Sequence, residues 1–176
     1  MEIIWVIENV KRSESFYTRQ FTLLLAASVT LWKRYHPNHK TVLYIDTLTK
    51  KFYLNTPLFS LFDEIRILSY DDKINRKIFW SSSKTKIISK TKIPICVVDH
   101  DFLIFKNIDK HLNTKVLYSY DEIAHNWYPD KNCSYNQDLT TPVKRLVDKA
   151  ANVSLFYLPD PKFANEYGKQ TLQNHI

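Results

Sequence analysis

The chain has 176 residues, of which 44% are hydrophobic and 14% aromatic, so it is long enough for one folded domain and is not a disordered tail. Its formal net charge of +7, from 25 Lys and Arg against 18 Asp and Glu, favours anionic partners such as nucleotides, nucleic acid or an anionic membrane. No stretch reaches the roughly 18 to 20 apolar residues of a membrane span, and the first residues lack a secretory-signal pattern, so we expect a cytosolic protein without a transmembrane segment.

Hydrophobic periodicity predicts alternating strands and helices over the first hundred residues. Strands are expected at residues 3–7, 41–45, 64–68 and 93–98. Helices are expected at about residues 13–35, 50–62 with an interruption at Pro57, and 73–89. Further along we expect short strands at 115–119 and 153–158, a polar loop at 126–141, and helices near 142–150 and 161–173.

This order of elements predicts a single α/β domain over residues 1–176. Its central sheet should be mainly parallel, with right-handed crossovers and helices on both faces, as in a Rossmann-like fold. The strand at 93–98 is expected to lie inside the sheet, between the strands near Ile3 and Thr41.

The few cysteines and the single glycine limit which metal and nucleotide sites the chain can form. Cys96 and Cys133 are the only cysteines and lack zinc-type spacing, which indicates packed thiols in a reducing compartment. Gly168 is the only glycine, so neither a Walker loop nor a GxGxxG turn can be present. A bound nucleotide would therefore have to be held by side chains, a metal ion or helix N-termini.

Two aspartates, Asp99 and Asp101, follow the predicted strand at 93–98 directly. In an α/β protein that uses nucleotides, the carboxyl end of a buried strand is where a divalent cation is held. Two ionised carboxylates this close repel each other unless a cation or solvent screens them. A solvated turn is the alternative, although the four large apolar residues at 102–105 argue against it. Strand alternation should point His100 away from both aspartates.

The order and local pattern of these parts resemble a glycosyltransferase of the GT-A type, the nucleotide-diphospho-sugar transferase fold with a DXD motif. The segments that carry the resemblance are LYIDTLTKKF, LFDEIRIL, IFWSSSKTKII and ICVVDHDFLIFKNID, within residues 41–109. A weaker match is ANVSLFYLPDPKFANEYGKQTL, within residues 150–172. The chain is similar in this respect to DXD sugar-binding-region glycosyltransferases of bacteria and large DNA viruses.

The resemblance implies binding of a nucleotide-diphospho-sugar donor through Mn²⁺ or Mg²⁺, followed by sugar transfer to a glycan or another hydroxyl acceptor. Such a cation neutralises the charge that develops on the leaving nucleoside diphosphate. It takes oxygen ligands, often one or two carboxylates together with the substrate's phosphates. Asp101 is the preferred metal ligand, and Asp99 is implied to share the ion or to face the ribose.

Four further residues are implied to bind the donor. Asp46 lies where the family places a polar group near the nucleotide base, but it could equally cap the following helix. Lys84 lies where a basic residue reaches the aspartates or the donor phosphates, although a solvent-facing lysine is the alternative. Asn152 and Ser154 are expected to touch the donor sugar; the alternative for Asn152 is a buried side chain satisfied by backbone.

The sequence also departs from the family pattern. Residues 8–12, after the first strand, carry no nucleotide-loop signature, and no catalytic base can be assigned. The chain stops where relatives usually continue into the acceptor-binding half, so that half is expected to be incomplete. His175 could complete a metal site, although a frayed terminus is the simpler interpretation.

Two other classes of protein compete with this interpretation. A phosphatase or phosphotransferase of the haloacid dehalogenase type also places Asp-x-Asp after a hydrophobic strand, but near the first strand and before a small residue. A basic nucleic-acid-binding module would explain the net charge, yet the chain has no recognised nucleic-acid motif, and we expect no specific nucleic-acid partner.

Overall fold

A computed structural model of the chain describes residues 1–8, 19–68, 81–123 and 149–173. Several of the sequence predictions lie outside these residues: the helix start near Ser13, Trp80 and the first half of its helix, the loop at 126–141 with Cys133, the helix near 142–148, and His175. Residues 149 and 150, predicted as the end of a helix, belong to a strand.

The described residues form six strands and four helices. The strands are β1 Glu2–Ile7, β2 Lys40–Ile45, β3 Glu64–Ile67, β4 Ile95–Val98, β5 Leu117–Ile123 and β6 Lys149–Leu158. The helices are α1 Arg19–Tyr35, α2 Thr47–Tyr53, α3 Ser82–Ile88 and α4 Pro161–Gln173.

All six strands form one sheet in the order β3-β2-β1-β4-β6-β5. Strands β1 to β4 are parallel, and β6 runs antiparallel between β4 and β5. The mainly parallel α/β sheet predicted from the sequence is confirmed. The predicted neighbours of β4 were partly wrong, because β6 and not the strand near Thr41 lies beside it; β2 lies on the far side of β1.

Helix α2 and the two last strands differ from the predicted bounds. Asp46 caps α2, so this helix begins before residue 50 and ends at Tyr53. A separate 3₁₀ turn, Pro57–Leu61, follows because proline has no N–H to continue a helix but suits a first helical turn. Strands β5 and β6 are longer than predicted since they pair with each other through polar residues, which an apolar pattern does not register.

Side chains of β1, β2 and β4 alternate between two cores, one on each face of the sheet. On the first face, Trp5 and Leu43 pack with Leu25 and Trp32 of α1. On the second face, the core consists of Ile4, Val42, Ile95 and Val97 with Ile88 of α3, Leu158 of β6 and Ala164 of α4. All four residues of β4 are buried, as the apolar run predicts for an inner parallel strand. Burial raises the pKa of the Cys96 thiol, which is consistent with a packed, unreactive role.

Gly168 lies where α4 packs against the end of α3. A Cβ atom at this position would lie 2.6 Å from the backbone nitrogen of Ser89 and 2.7 Å from its Cα. The only glycine of the chain therefore allows two helix backbones to approach closely, and it does not build a phosphate-binding loop.

A polar cluster on the second face connects three strands around Arg66. Its guanidinium donates to both carboxylate oxygens of Glu2, at 2.7 and 2.9 Å, and to both of Glu64, at 2.7 and 2.8 Å. The same group donates to the Tyr44 hydroxyl at 2.9 Å. These hydrogen bonds from Arg66 lower the pKa of Glu64 to about 2 and also lower the pKa of Glu2.

We expect the free energy of unfolding to fall as the pH is lowered from about 5 towards 2. Both carboxyl groups have a folded-state pKa below the ordinary 4.5, so their contribution is full above that value and is lost as they are protonated in the folded state. Urea unfolding at a series of pH values would measure the effect. In Arg66→Met the slope over this range should be shallower, and parallel profiles for the two proteins would contradict the assignment.

Candidate functional site

Most of the residues predicted to bind the donor meet at the carboxyl edge of the sheet. Asp46 follows β2, Asp99 follows β4, and Glu8 follows the parallel strand β1. The antiparallel strand β6 extends beyond the end of β4 and places Ser154 beside Asp99. The backbone N–H of Asp99 donates to the Ser154 carbonyl at 2.7 Å. Carboxyl edges of parallel sheets are where α/β folds bind ligands.

Lys84 of α3 forms an ion pair with the Asp99 carboxylate. Both side chains are partly buried, with 17% of Lys84 and 24% of Asp99 exposed. Lys84 is therefore not a lysine that points only into solvent, and it reaches the aspartate pair as the resemblance implied. Whether it also contacts donor phosphates stays a prediction.

The backbone from Asp99 to Phe102 is a tight turn held from several sides. The Phe102 N–H donates to the Asp99 carbonyl at 3.1 Å, and the Ser28 hydroxyl of α1 donates to the Phe102 carbonyl at 2.8 Å. Ser28 in turn accepts a hydrogen bond from the indole N–H of buried Trp5 at 3.0 Å. The aspartate pair is thus fixed to the core of the first face, which favours a preorganised site over a loose surface loop.

The two residues after Asp99 have different surroundings. His100 stacks on Phe21 of α1, with ring centroids 4.2 Å apart, on the opposite side from the Lys84 contact of Asp99. That His100 points away from both aspartates stays a prediction, because residues 99–102 form a turn and not a continuing strand. Asp101 is exposed, and no hydrogen bond or ion pair to its carboxylate is seen within the part of the chain that the structure describes.

Carboxylate oxygens at this edge fit a hard divalent cation. Asp101 offers an exposed carboxylate, whereas Asp99 is partly neutralised by Lys84. Among the described residues, neither aspartate belongs to a cluster of three or more potential metal ligands. The protein would therefore supply one or two carboxylates and the substrate's phosphates and water the rest, which is the usual way of binding Mg²⁺.

Asp46 takes the capping geometry that was its alternative interpretation. Its side chain is buried, and its two carboxylate oxygens accept from the Thr49 N–H at 2.8 Å and the Thr49 hydroxyl at 2.6 Å. The side chain stabilises the start of α2. A contact with the nucleotide base stays a prediction.

Asn152 and Ser154 contact each other beside the aspartate turn. The Asn152 amide oxygen accepts from the N–H and the hydroxyl of Ser154, at 2.9 and 2.6 Å, and its amide nitrogen donates to the Tyr120 hydroxyl at 3.1 Å. Both side chains are half-buried and lie on β6. Their contact with a donor sugar stays a prediction.

Sequence reasoning missed one further polar group at this edge, Glu8. The Ser83 hydroxyl of α3 donates to the Glu8 carboxylate at 2.6 Å, one residue before Lys84. The position of Glu8 directly after β1 could have indicated this. Because β1 and β4 are parallel neighbours, the residues that follow them lie at the same edge of the sheet. Sequence reasoning also missed a cluster of His36, His39 and Asp109.

Comparison with known proteins gives no match by sequence but several by structure. No protein-family model matches the chain, and no curated protein matches it by sequence. The structure is similar to that of the galactosyltransferase LgtC, solved with donor and acceptor sugar analogues, with a TM-score of 0.53 and 10% identity over 100% of this chain and 66% of LgtC. An active-site mutant of LgtC gives a TM-score of 0.55 and 11% identity over 99% of this chain and 63% of the mutant.

A third similar structure is the nucleoside-diphosphate-sugar pyrophosphorylase of Vibrio cholerae RC9, with a TM-score of 0.50 and 12% identity over 98% of this chain and 78% of that enzyme. The chain has the GT-A fold. The fold implied by the sequence resemblance is thereby confirmed. The chain spans about two thirds of the length of LgtC, and identities this low show the fold alone.

Among the described residues, no helix is long and apolar enough to cross a membrane.

Proposed function

We propose that the chain is a glycosyltransferase that binds a nucleotide-diphospho-sugar through Mn²⁺ or Mg²⁺ at Asp99 and Asp101. The sugar would be transferred to a glycan or another hydroxyl acceptor. The observation that carries this proposal is the Asp99–Lys84 ion pair beside exposed Asp101, at the carboxyl edge of a sheet with the GT-A fold.

The residues at this edge would each contact a different part of the donor. Asp101 would ligate the cation, which when bound neutralises the charge that develops on the departing nucleoside diphosphate. Asp99, held by Lys84 and by the backbone of Ser154, is placed to accept a hydrogen bond from a ribose hydroxyl or to share the cation. Lys84 carries the positive charge that can meet the donor phosphates, and Asn152 with Ser154 would face the donor sugar.

The absence of a glycine loop supports a site built from side chains and a cation. A glycine-rich turn holds phosphates with backbone N–H groups, but Gly168, the only glycine, lies inside α4 against Ser89. Neutralisation of a diphosphate would then come from basic side chains such as Lys84, from a metal ion or from helix N-termini.

The alternative functions are not favoured. LgtC is named as a galactosyltransferase and the Vibrio cholerae protein as an enzyme of nucleoside-diphosphate sugars, which supports a nucleotide-sugar ligand here. The aspartate pair follows β4, the fourth of the described strands, and not β1, where the haloacid dehalogenase pattern would place it. A single domain over residues 1–176 and a cytosolic location stay predictions.

Calorimetric titration with UDP, GDP and their sugar conjugates, with and without Mn²⁺, tests the proposal. We expect one nucleotide diphosphate to bind at least about ten-fold more tightly with Mn²⁺, because the cation bridges Asp101 and the phosphates. A parallel salt titration on DNA and RNA provides the contrast. Salt-dependent binding of nucleic acid without any metal-dependent nucleotide binding would contradict the proposed function.

A further inference from the structure

A second group of potential metal ligands lies away from the donor edge. His36 and His39 belong to the short connection between α1 and β2, and Asp109 begins the 3₁₀ turn Asp109–His111 after β4. Because His39 directly precedes β2, the cluster lies at the amino edge of the sheet, whereas Asp99 lies at the carboxyl edge. The two edges are separated by the length of the parallel strands, which have four to six residues with a rise of about 3.3 Å per residue.

One carboxylate oxygen joins the two imidazoles. Oδ1 of Asp109 lies 2.7 Å from Nδ1 of His36 and 3.3 Å from Nε2 of His39. The two imidazole rings are parallel within 5°, with centroids 5.2 Å apart, so both present one nitrogen to the same oxygen. The three ligand atoms all lie within 4.8 Å of one another.

The two separations from the Asp109 oxygen are close to those of a tetrahedral metal site. Metal–ligand bonds of about 2.0–2.1 Å place neighbouring ligand atoms roughly 3.3 Å apart. The contact between His39 and Asp109 already has this length, and the one between His36 and Asp109 would have to widen by about 0.6 Å. Half of the Asp109 side chain is exposed, so its carboxylate is accessible to an ion and a water ligand from solvent.

The surroundings of the histidines are unusual for a site that only packs. The His36 side chain is fully buried against the ring of Trp32, with centroids 4.8 Å apart, and 14% of His39 is exposed. Among the described residues, Nε2 of His36 and Nδ1 of His39 are buried without a hydrogen-bond partner. A buried polar atom without a partner destabilises a fold, and these two nitrogens are not the ones that face Asp109.

A neighbouring side chain orients the carboxylate of this cluster. Asn107 holds the second carboxylate oxygen of Asp109 through its side-chain amide at 3.0 Å, and the same amide donates to the Tyr35 carbonyl at 2.8 Å. Outer contacts of this kind orient a ligating carboxylate.

We propose that His36, His39 and Asp109 form a binding site for a transition-metal ion of the Zn²⁺ class, separate from the donor site. Two imidazoles and one carboxylate favour Zn²⁺ over Mg²⁺ or Mn²⁺, which prefer oxygen ligands. The ion ties the end of α1 to the loop that follows β4, and a water completes its coordination. Three protein ligands and a water make an open zinc site. Because it lies at the amino edge, away from the edge where α/β folds bind substrates, we assign the ion a stabilising role and no part in donor binding.

Zinc titration of the full chain, with any affinity tag removed, tests this site. We expect one equivalent of Zn²⁺ to bind, and a Zn²⁺ concentration of 100 times the Kd to raise the Tm by roughly 5–10 °C. His39→Gln and Asp109→Asn should each weaken Zn²⁺ binding by at least about 100-fold and remove most of the Tm shift, because each removes a direct ligand.

Two matched controls separate this site from others. His111→Gln changes an exposed histidine of the same 3₁₀ turn, and Asp101→Asn changes the donor edge; both should bind Zn²⁺ like the wild type. Far-UV circular dichroism without metal establishes that each variant is folded. Unchanged Zn²⁺ affinity in folded His39→Gln and Asp109→Asn, or no stoichiometric binding by the wild type, would overturn the proposal while leaving the donor site untouched.

Discussion

Asp101→Asn is expected to abolish the Mn²⁺ dependence of nucleotide-diphosphate binding and to leave the fold intact. Asp101 is exposed, so the substitution removes no buried contact and the free energy of unfolding should stay within about 0.5 kcal/mol of the wild-type value. Loss of a residue that only orients a metal ligand typically weakens metal binding by about 10- to 100-fold. Because Asp101→Asn removes a direct ligand, the nucleotide affinity in Mn²⁺ should fall by at least about that much.

Calorimetry with and without Mn²⁺ measures this change for the wild type and the variant. The matched control is Asp109→Asn, the same substitution at the opposite edge of the sheet, which should leave nucleotide binding unchanged. If Asp101→Asn kept the full metal-dependent affinity, the cation would have to be held elsewhere.

Gly168→Ala is expected to destabilise the protein by about 2 kcal/mol or more, although alanine normally favours a helix over glycine by about 1 kcal/mol. The new Cβ would lie 2.6 Å from the Ser89 backbone nitrogen, and backbone atoms cannot move aside as a flexible side chain can. Helix α4 would have to shift from α3, which carries Lys84. Thermal unfolding should show a Tm lower by roughly 4–8 °C.

Lys169→Ala is the control for the change in helix propensity, because Lys169 is the exposed neighbour of Gly168 on α4. Its Tm should stay near the wild-type value. A Gly168→Ala protein as stable as the wild type would show that α3 and α4 do not approach as closely as described.

The pattern of apolar residues predicted the mainly parallel sheet but not all of its pairings and bounds. The run before Asp99 is buried on both faces, which is typical of an inner strand of an α/β sheet, so the apolar run together with the alternating element order predicted β4. The neighbour of β4 could not, because β6 comes from residues more than fifty positions later and its pairing depends on tertiary contacts. Pairing of distant strands leaves no local signal in the chain.

The candidate site was predictable only where its residues follow strands. Asp99 and Asp46 end strands, which places them at one edge once the sheet is known to be parallel. The ion pair of Lys84 with Asp99 was implied by the family resemblance and not by spacing, because it joins a helix to a turn. The cluster of His36, His39 and Asp109 was missed because both histidines lie in the connection after α1, and Asp109 lies 73 positions after His36 in the sequence.

The most direct test of the donor site is an anomalous diffraction map of crystals that contain Mn²⁺ and the tightest-binding nucleotide diphosphate. We predict a manganese peak within coordination distance of the Asp101 carboxylate, with nucleotide phosphates on its other side and Lys84 nearby. A nucleotide bound without a manganese peak at this edge, or a peak found only at His36, His39 and Asp109, would contradict the account.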